Sequence, residues 1–138
     1  MNKKYEILSD DTIEVNGHIL HRIRALKTFR ASSVMIVACG DLGGYIEKED
    51  NLSHGSSCWV DGNARVYGDA KIYGDAVIYG TAEVYDNAQV YAESLVFERA
   101  IVCDSAKVSG ESWVFGDAIV RGNFHITGAE CVYAGVYE

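Results

Sequence analysis

Residues 63–92 read NARVYG DAKIYG DAVIYG TAEVYD NAQVYA, five hexads laid end to end. Taking the aliphatic residue as marker and extending the register both ways gives Val60, Val66, Ile72, Ile78, Val84, Val90, Val96, Val102, Val108, Val114, Val120, Ile126 and Val132. All of these are Val or Ile. Four residues after the markers stands Ala or Ser, from Ala64 to Ala118, and the column breaks at Phe124 and Glu130. Two residues after the marker there is usually Gly, otherwise Asp, Glu or Ala. A six-residue period fits neither a 3.6-residue helix nor an unbroken strand, but it fits a short strand followed by a tight corner. The chain is therefore predicted to coil, with the marker pointing inward and its neighbours outward. The second inward position has room only for a small side chain, and Gly supplies positive φ at the corner. Val and Ile suit the strands because β-branched side chains pack well on a pleated surface.

The whole chain has 138 residues and a mass of 15.1 kDa, which is the size of one domain. Fourteen glycines and no proline fit corners better than linkers. Twelve Lys and Arg against twenty Asp and Glu give a net charge of -8, which disfavours direct binding to nucleic-acid phosphates or anionic lipid. The longest apolar stretch, Val34 to Cys39, is far short of a membrane span, and Lys3 and Lys4 lead into a polar segment without a signal-peptide core. A cytoplasmic protein is expected. Cys39, Cys58, Cys103 and Cys131 lack zinc-type spacing and read as reduced packing residues, so neither a metal nor a cofactor is expected.

The hexads resemble those of the hexapeptide-repeat, left-handed parallel β-helix family, in which three hexads make one triangular coil. The resemblance implies an all-β fold of about four coils over residues 58–138. Residues 1–57 lack the repeat and read as a small β cap, with a turn at Asp10-Asp11 and a hairpin at Asn16-Gly17. A stack needs such a cap to cover its first coil. The stretch GDLGGYIEKEDNLS at residues 40–53, followed by CWV at 58–60, is similar to the lead-in of a group of phage and prophage hexapeptide-repeat proteins. That implies a phage-type protein acting in the host cytoplasm.

Outward residues sort with period eighteen. One face carries Trp59, Val77, Tyr79, Leu95, Phe97, Trp113, Phe115, Cys131 and Tyr133, an apolar wall. Val77, Tyr79, Leu95, Phe97, Trp113, Phe115 and Tyr133 are the expected interface of a dimer or trimer, the alternative being that the cap folds over them. A second face carries Lys71, Tyr73, Gln89, Tyr91, Lys107 and His125. Acidic corners flank it, with Asp69, Asp86 and Asp104 in one approximate column and Asp75, Glu93 and Glu111 in another. Together with Tyr73 and Tyr91 these are the expected partner-binding residues. Paired acidic ridges imitate a phosphate backbone and suit a basic groove on a nucleic-acid-binding host enzyme, such as a CRISPR effector.

No catalytic residue is expected. Many hexapeptide-repeat proteins are acyltransferases with a His base, but the hexads run without the projecting loop that the resemblance would require. Of His18, His21, His54 and His125, only His125 lies beside an open face, while His18 and His21 sit three apart on a strand and cannot share a metal. Gly40-Asp41-Leu42-Gly43-Gly44 is not a phosphate-binding motif and reads as a turn before the first coil. Asn51-Leu52-Ser53 matches a glycosylation sequon that a cytosolic protein would not use. An inhibitor-type binding protein is the leading expectation, an acyltransferase relative or a passive structural rod the alternatives.

Overall fold

Corners decide this architecture, and they recur every sixth residue. In the computed structural model, which describes residues 3–33 and 35–138, Gly62, Gly68, Gly74, Gly80, Asp86, Ala92, Glu98, Asp104, Gly110, Gly116, Gly122 and Gly128 all turn at φ between 57° and 74°. Val34, the first residue of the apolar stretch noted above, lies outside the described residues. Between corners the chain forms two-residue strands that stack in register eighteen residues apart, as in Trp59↔Val77 and Leu95↔Trp113. Three parallel sheets result. One consists of β6 (Trp59–Val60), β9 (Val77–Ile78), β12 (Leu95–Val96), β15 (Trp113–Val114) and β18 (Cys131–Val132). Another consists of β8 (Lys71–Ile72), β11 (Gln89–Val90), β14 (Lys107–Val108) and β17 (His125–Ile126). The third runs through β7 (Arg65–Val66), β10 (Glu83–Val84), β13 (Ile101–Val102), β16 (Ile119–Val120) and β19 (Val136–Tyr137). The markers and the small-residue column from Ala64 to Ala118 are buried inside the coil.

Four of these corners are not glycine. Left-handed backbone costs an L-residue about 1–2 kcal/mol, and three of the four recover part of it through a ladder of side-chain bonds. Asp86 accepts from the Asp104 N–H (3.2 Å), Asp104 from the Gly122 N–H (2.9 Å) and Glu98 from the Gly116 N–H (2.9 Å). Ala92 has no such side chain. Ala92→Gly is therefore expected to stabilise the fold by about 1 kcal/mol, read as a higher urea midpoint at unchanged slope.

The cap is an antiparallel hairpin of β1 (Tyr5–Val15) and β2 (His18–Ala25), closed at Asn16 and Gly17 with φ of 51° and 84°. The expected turn at Asp10-Asp11 is absent: β1 runs straight through these residues, and its register shifts between Ile7 and Thr12 as a bulge. The bulge leaves Asp10 exposed and turns Asp11 inward, where it accepts from Arg22 at 3.1 Å and from the Tyr45 hydroxyl at 3.2 Å, without ending the strand. Next, β5 (Leu42–Ile46) pairs antiparallel with β2 and parallel with β7, so one strand joins cap to stack. Leu52 also bridges Ile72 in parallel. Stacking thus starts at residue 42, and with five rungs in one sheet the molecule has about five turns instead of about four. At the other end Phe124 meets Tyr137 edge-on at 5.8 Å and Arg121 pairs with Glu138 at 2.7 Å, closing the last coil over a fully buried Ile126. Phe124 breaks the small-residue column because it plugs the coil.

Candidate functional site

The acidic corners form one true column and one offset column. Asp75, Glu93 and Glu111 are spaced by eighteen residues and so rise one per rung, about 4.8 Å apart. Asp75, at the foot, is half-buried and accepts a hydrogen bond from the Ser57 N–H at 3.3 Å, whereas Glu93 and Glu111 are exposed. On the opposite corner Asp86 and Asp104 align with Gly68 and Gly122, and Asp69 stands one residue out of line. Asp69 is paired with Lys48 at 2.9 Å, and that hydrogen bond holds its carboxyl below the usual aspartate range. The offset follows from counting: Asp69 follows the corner, while Asp86 and Asp104 are the corners.

Between the columns Tyr73 and Tyr91 stack at 4.9 Å and 1°. Tyr73 donates to Gln89 at 2.9 Å, and His125 Nε2 lies 3.3 Å from the Tyr91 hydroxyl and 3.2 Å from Ser109 Oγ. Ser109 Oγ also lies 3.3 Å from the Ile126 carbonyl oxygen, so the hydroxyl bridges the ring and the backbone. That arrangement orients the ring. His54 is bonded through both nitrogens, accepting from the Lys4 N–H at 3.1 Å and donating to Glu49 at 2.7 Å, while its ring stacks on Tyr5. His21 donates to the Leu8 carbonyl at 3.2 Å and His18 to Glu47 at 3.0 Å, so the two point apart as expected.

A groove of about 470 Å³ lies along the first corner, lined by His18, Tyr67, Asp69, Asp86, Asp104 and Ser105 among others. Burial would raise the Glu47 carboxyl behind it, but the hydrogen bonds from His18 and the Gly68 N–H bring it below the usual glutamate range. Asp86, Cys103 and Asp104 bring their ligand atoms within 4.8 Å of one another. Sequence reasoning missed this cluster because its members come from two coils. Two of its carboxylate oxygens already serve the corner ladder, and burial pushes the Cys103 thiol up.

The apolar wall is divided. A hairpin of β3 (Phe29–Ala31) and β4 (Met35–Val37) lies on its lower rungs, with Phe29 edge-on to Trp59 at 5.4 Å. Trp59, Val77 and Leu95 are buried beneath cap residues. Val77 and Leu95 are thus core residues of this chain and not part of an oligomer interface, because the hairpin fills the space a second chain would need. Tyr79, Phe97 and Phe115 form a half-buried stack, with ring centroids 4.8 Å and 5.0 Å apart. Trp113 and Tyr133, at 45% and 64% exposure, remain open. A second groove, of about 390 Å³, runs between the hairpin residues Arg30, Ser32 and Ser33 and the acidic Asp75 and Glu93.

Two buried polar residues had no signal in the sequence. Asn51, inside the sequon, is wholly buried: its Oδ1 accepts from the Glu47 and Lys48 N–H groups, and its Nδ2 donates to the Gly68 and Ala70 carbonyls. Its amide is a staple with no room for a glycan. Lys4 is also wholly buried, donating to the carbonyls of Gly55, Ser56 and Cys58 and lying 3.4 Å from the Cys58 sulfur. Burial lowers the Lys4 ammonium pKa and raises that of the Cys58 thiol. Among the described residues no helix is long and apolar enough to cross a membrane. No protein-family model matches the chain, and no curated protein is similar to it in sequence.

Proposed function

We propose that this chain is a non-catalytic binding protein of the phage-type, left-handed hexapeptide-repeat class, which self-associates and engages a basic host protein. Its target in this reading is a nucleic-acid-binding defence enzyme, inhibited in the manner of an anti-CRISPR protein in the host cytoplasm. The observation that carries the reading is the Asp75, Glu93 and Glu111 column, one carboxylate per rung along a corner between two parallel sheets. Regularly spaced carboxylates present a line of negative charge to a groove built for phosphates, and that complementarity favours encounter with a basic partner. The stacked Tyr73 and Tyr91 beside it supply flat, already ordered contact area.

The test is inhibition of target-DNA binding across a panel of CRISPR effector complexes, with wild type beside the triple variant Asp75→Asn, Glu93→Gln, Glu111→Gln. Wild type is expected to inhibit at least one effector. The variant, unfolding at the same temperature, is expected to need at least about tenfold more protein, because losing favourable charge at a steered interface is worth a decade or more in affinity. Equal potency of the two proteins, or no inhibition anywhere in the panel, would remove the reading.

A further inference from the structure

Arg30 and Ile36 face each other across the β3–β4 hairpin and both point away from the wall, while Phe29, Ala31 and Val37 point toward it. Ile36 is 62% exposed, and Arg30 has no ion-pair partner within 4.0 Å among the described residues. One apolar and one cationic side chain therefore stand together on an outer surface. At the other end of the same face, Trp113 and Tyr133 stand open on the upper rungs.

Charge divides along the same axis. Within residues 18–39, the second cap strand and the hairpin, Arg22 and Arg24 are paired with Asp11 and Glu6 of β1, whereas Lys27 and Arg30 have no ion-pair partner among the described residues and no Asp or Glu lies in the segment. Residues 93–138, the upper coils, contain seven acidic and three basic residues. Two copies laid side by side in parallel would oppose like ends. Laid antiparallel, each basic hairpin meets the acidic upper coils of the other copy.

We propose that the open upper wall is covered by a second copy of this chain in an antiparallel, two-fold dimer, with the outer face of each β3–β4 hairpin seated on Trp113 and Tyr133 of the other copy. Ile36 packs between the two rings, and the Arg30 guanidinium lies over an aromatic face as well as in a negative field. The inner side of the hairpin already covers the lower half of this sheet within one chain, so in the dimer the two hairpins together close both walls. Such an interface is isologous: each patch is used once and no patch remains to propagate a fibre. This inference rests on the self-association in the function proposed above and names its partner and orientation.

Light scattering after size exclusion tests the pairing. Wild type is expected at twice the 15.1 kDa chain mass, and Trp113→Glu/Tyr133→Glu at the single-chain mass with an unchanged circular dichroism spectrum, since both side chains are exposed. Orientation is read from a thiol introduced by Ile36→Cys in a Cys39→Ser background. Native Cys131 is exposed on the rung above Trp113, so mild oxidation should yield a covalent dimer whose peptide map joins position 36 to Cys131. A monomeric or trimeric wild type, or disulfides only between the two Cys131 residues, would overturn the proposal. Those outcomes leave the acidic column to its own inhibition assay.

Discussion

Replacing Gly43 by alanine is expected to remove about 3 kcal/mol of stability, at the upper end of what one added methyl does in a packed core. A Cβ there would lie 2.6 Å from the Val60 carbonyl oxygen and 2.7 Å from both Ile23 Cγ1 and Trp59 Cζ2. Backbone sits on one side and two fully buried side chains on the other, so nothing is free to give way. Gly44, its neighbour, is equally hemmed in by the Ala64 oxygen and Val60 Cγ1, each at 2.7 Å. Gly55→Ala serves as the control. Its Cβ would meet only Ser53 Oγ at 3.6 Å, and its effect is expected within about 0.5 kcal/mol. Urea unfolding of the three proteins measures the difference, and a Gly43→Ala midpoint equal to that of Gly55→Ala would show that the joint between cap and stack yields.

The second large effect is at Lys4. Lys4→Met keeps an unbranched chain against Phe29, whose ring centroid lies 5.3 Å from the Lys4 nitrogen, but leaves the Gly55, Ser56 and Cys58 carbonyls without their buried donor. A loss of about 3 kcal/mol is expected. Lys4→Ala adds an unfilled cavity and about 1–2 kcal/mol more. The pH dependence separates this from simple packing. Because the folded Lys4 pKa is lowered, the unfolded chain binds more protons between that value and 10.5, and the Lys4 contribution to stability rises with pH across this window. Cys58 acts in the opposite sense: its folded pKa is raised, so its contribution is lost as pH rises above 9.0, where the unfolded thiol ionises. Lys4→Met removes the rising limb and leaves the falling one, so the variant should lose stability more steeply above pH 9 than wild type. Parallel profiles for the two proteins would mean that Lys4 carries no net proton linkage.

Much of the stack was legible because its physics is local. The markers from Val60 to Val132 and the small residues between them announce their inward direction by type alone, and period eighteen then sorts the outward residues into faces. The cap was less legible. Nothing in the residues from Lys3 to Lys48 states that β5 will switch from antiparallel to parallel pairing, or that Phe29 will reach Trp59; both contacts are long-range and aperiodic. Gly43 and Gly44 read as turn residues because glycine marks turns far more often than close approach. Asp10-Asp11 read as a turn for the same kind of reason, although a bulge accommodates the pair. Within the candidate surface, the Asp75, Glu93 and Glu111 column followed from counting. The burial of Val77 and Leu95 did not, because it depends on where a separate hairpin docks.

The two ends of this molecule are individual, and its middle is generic. Above the hairpin, each coil packs against the coil above and the coil below, and its strand N–H groups donate to carbonyls seventeen positions further along the chain. A duplicated block of eighteen residues between the cap and the Phe124 plug would meet the same neighbours and lengthen the axis by about 4.8 Å without altering either terminus. Length is therefore an adjustable quantity of this architecture, in steps of one whole turn. The reach of the surface it presents can change in steps while its chemistry stays the same.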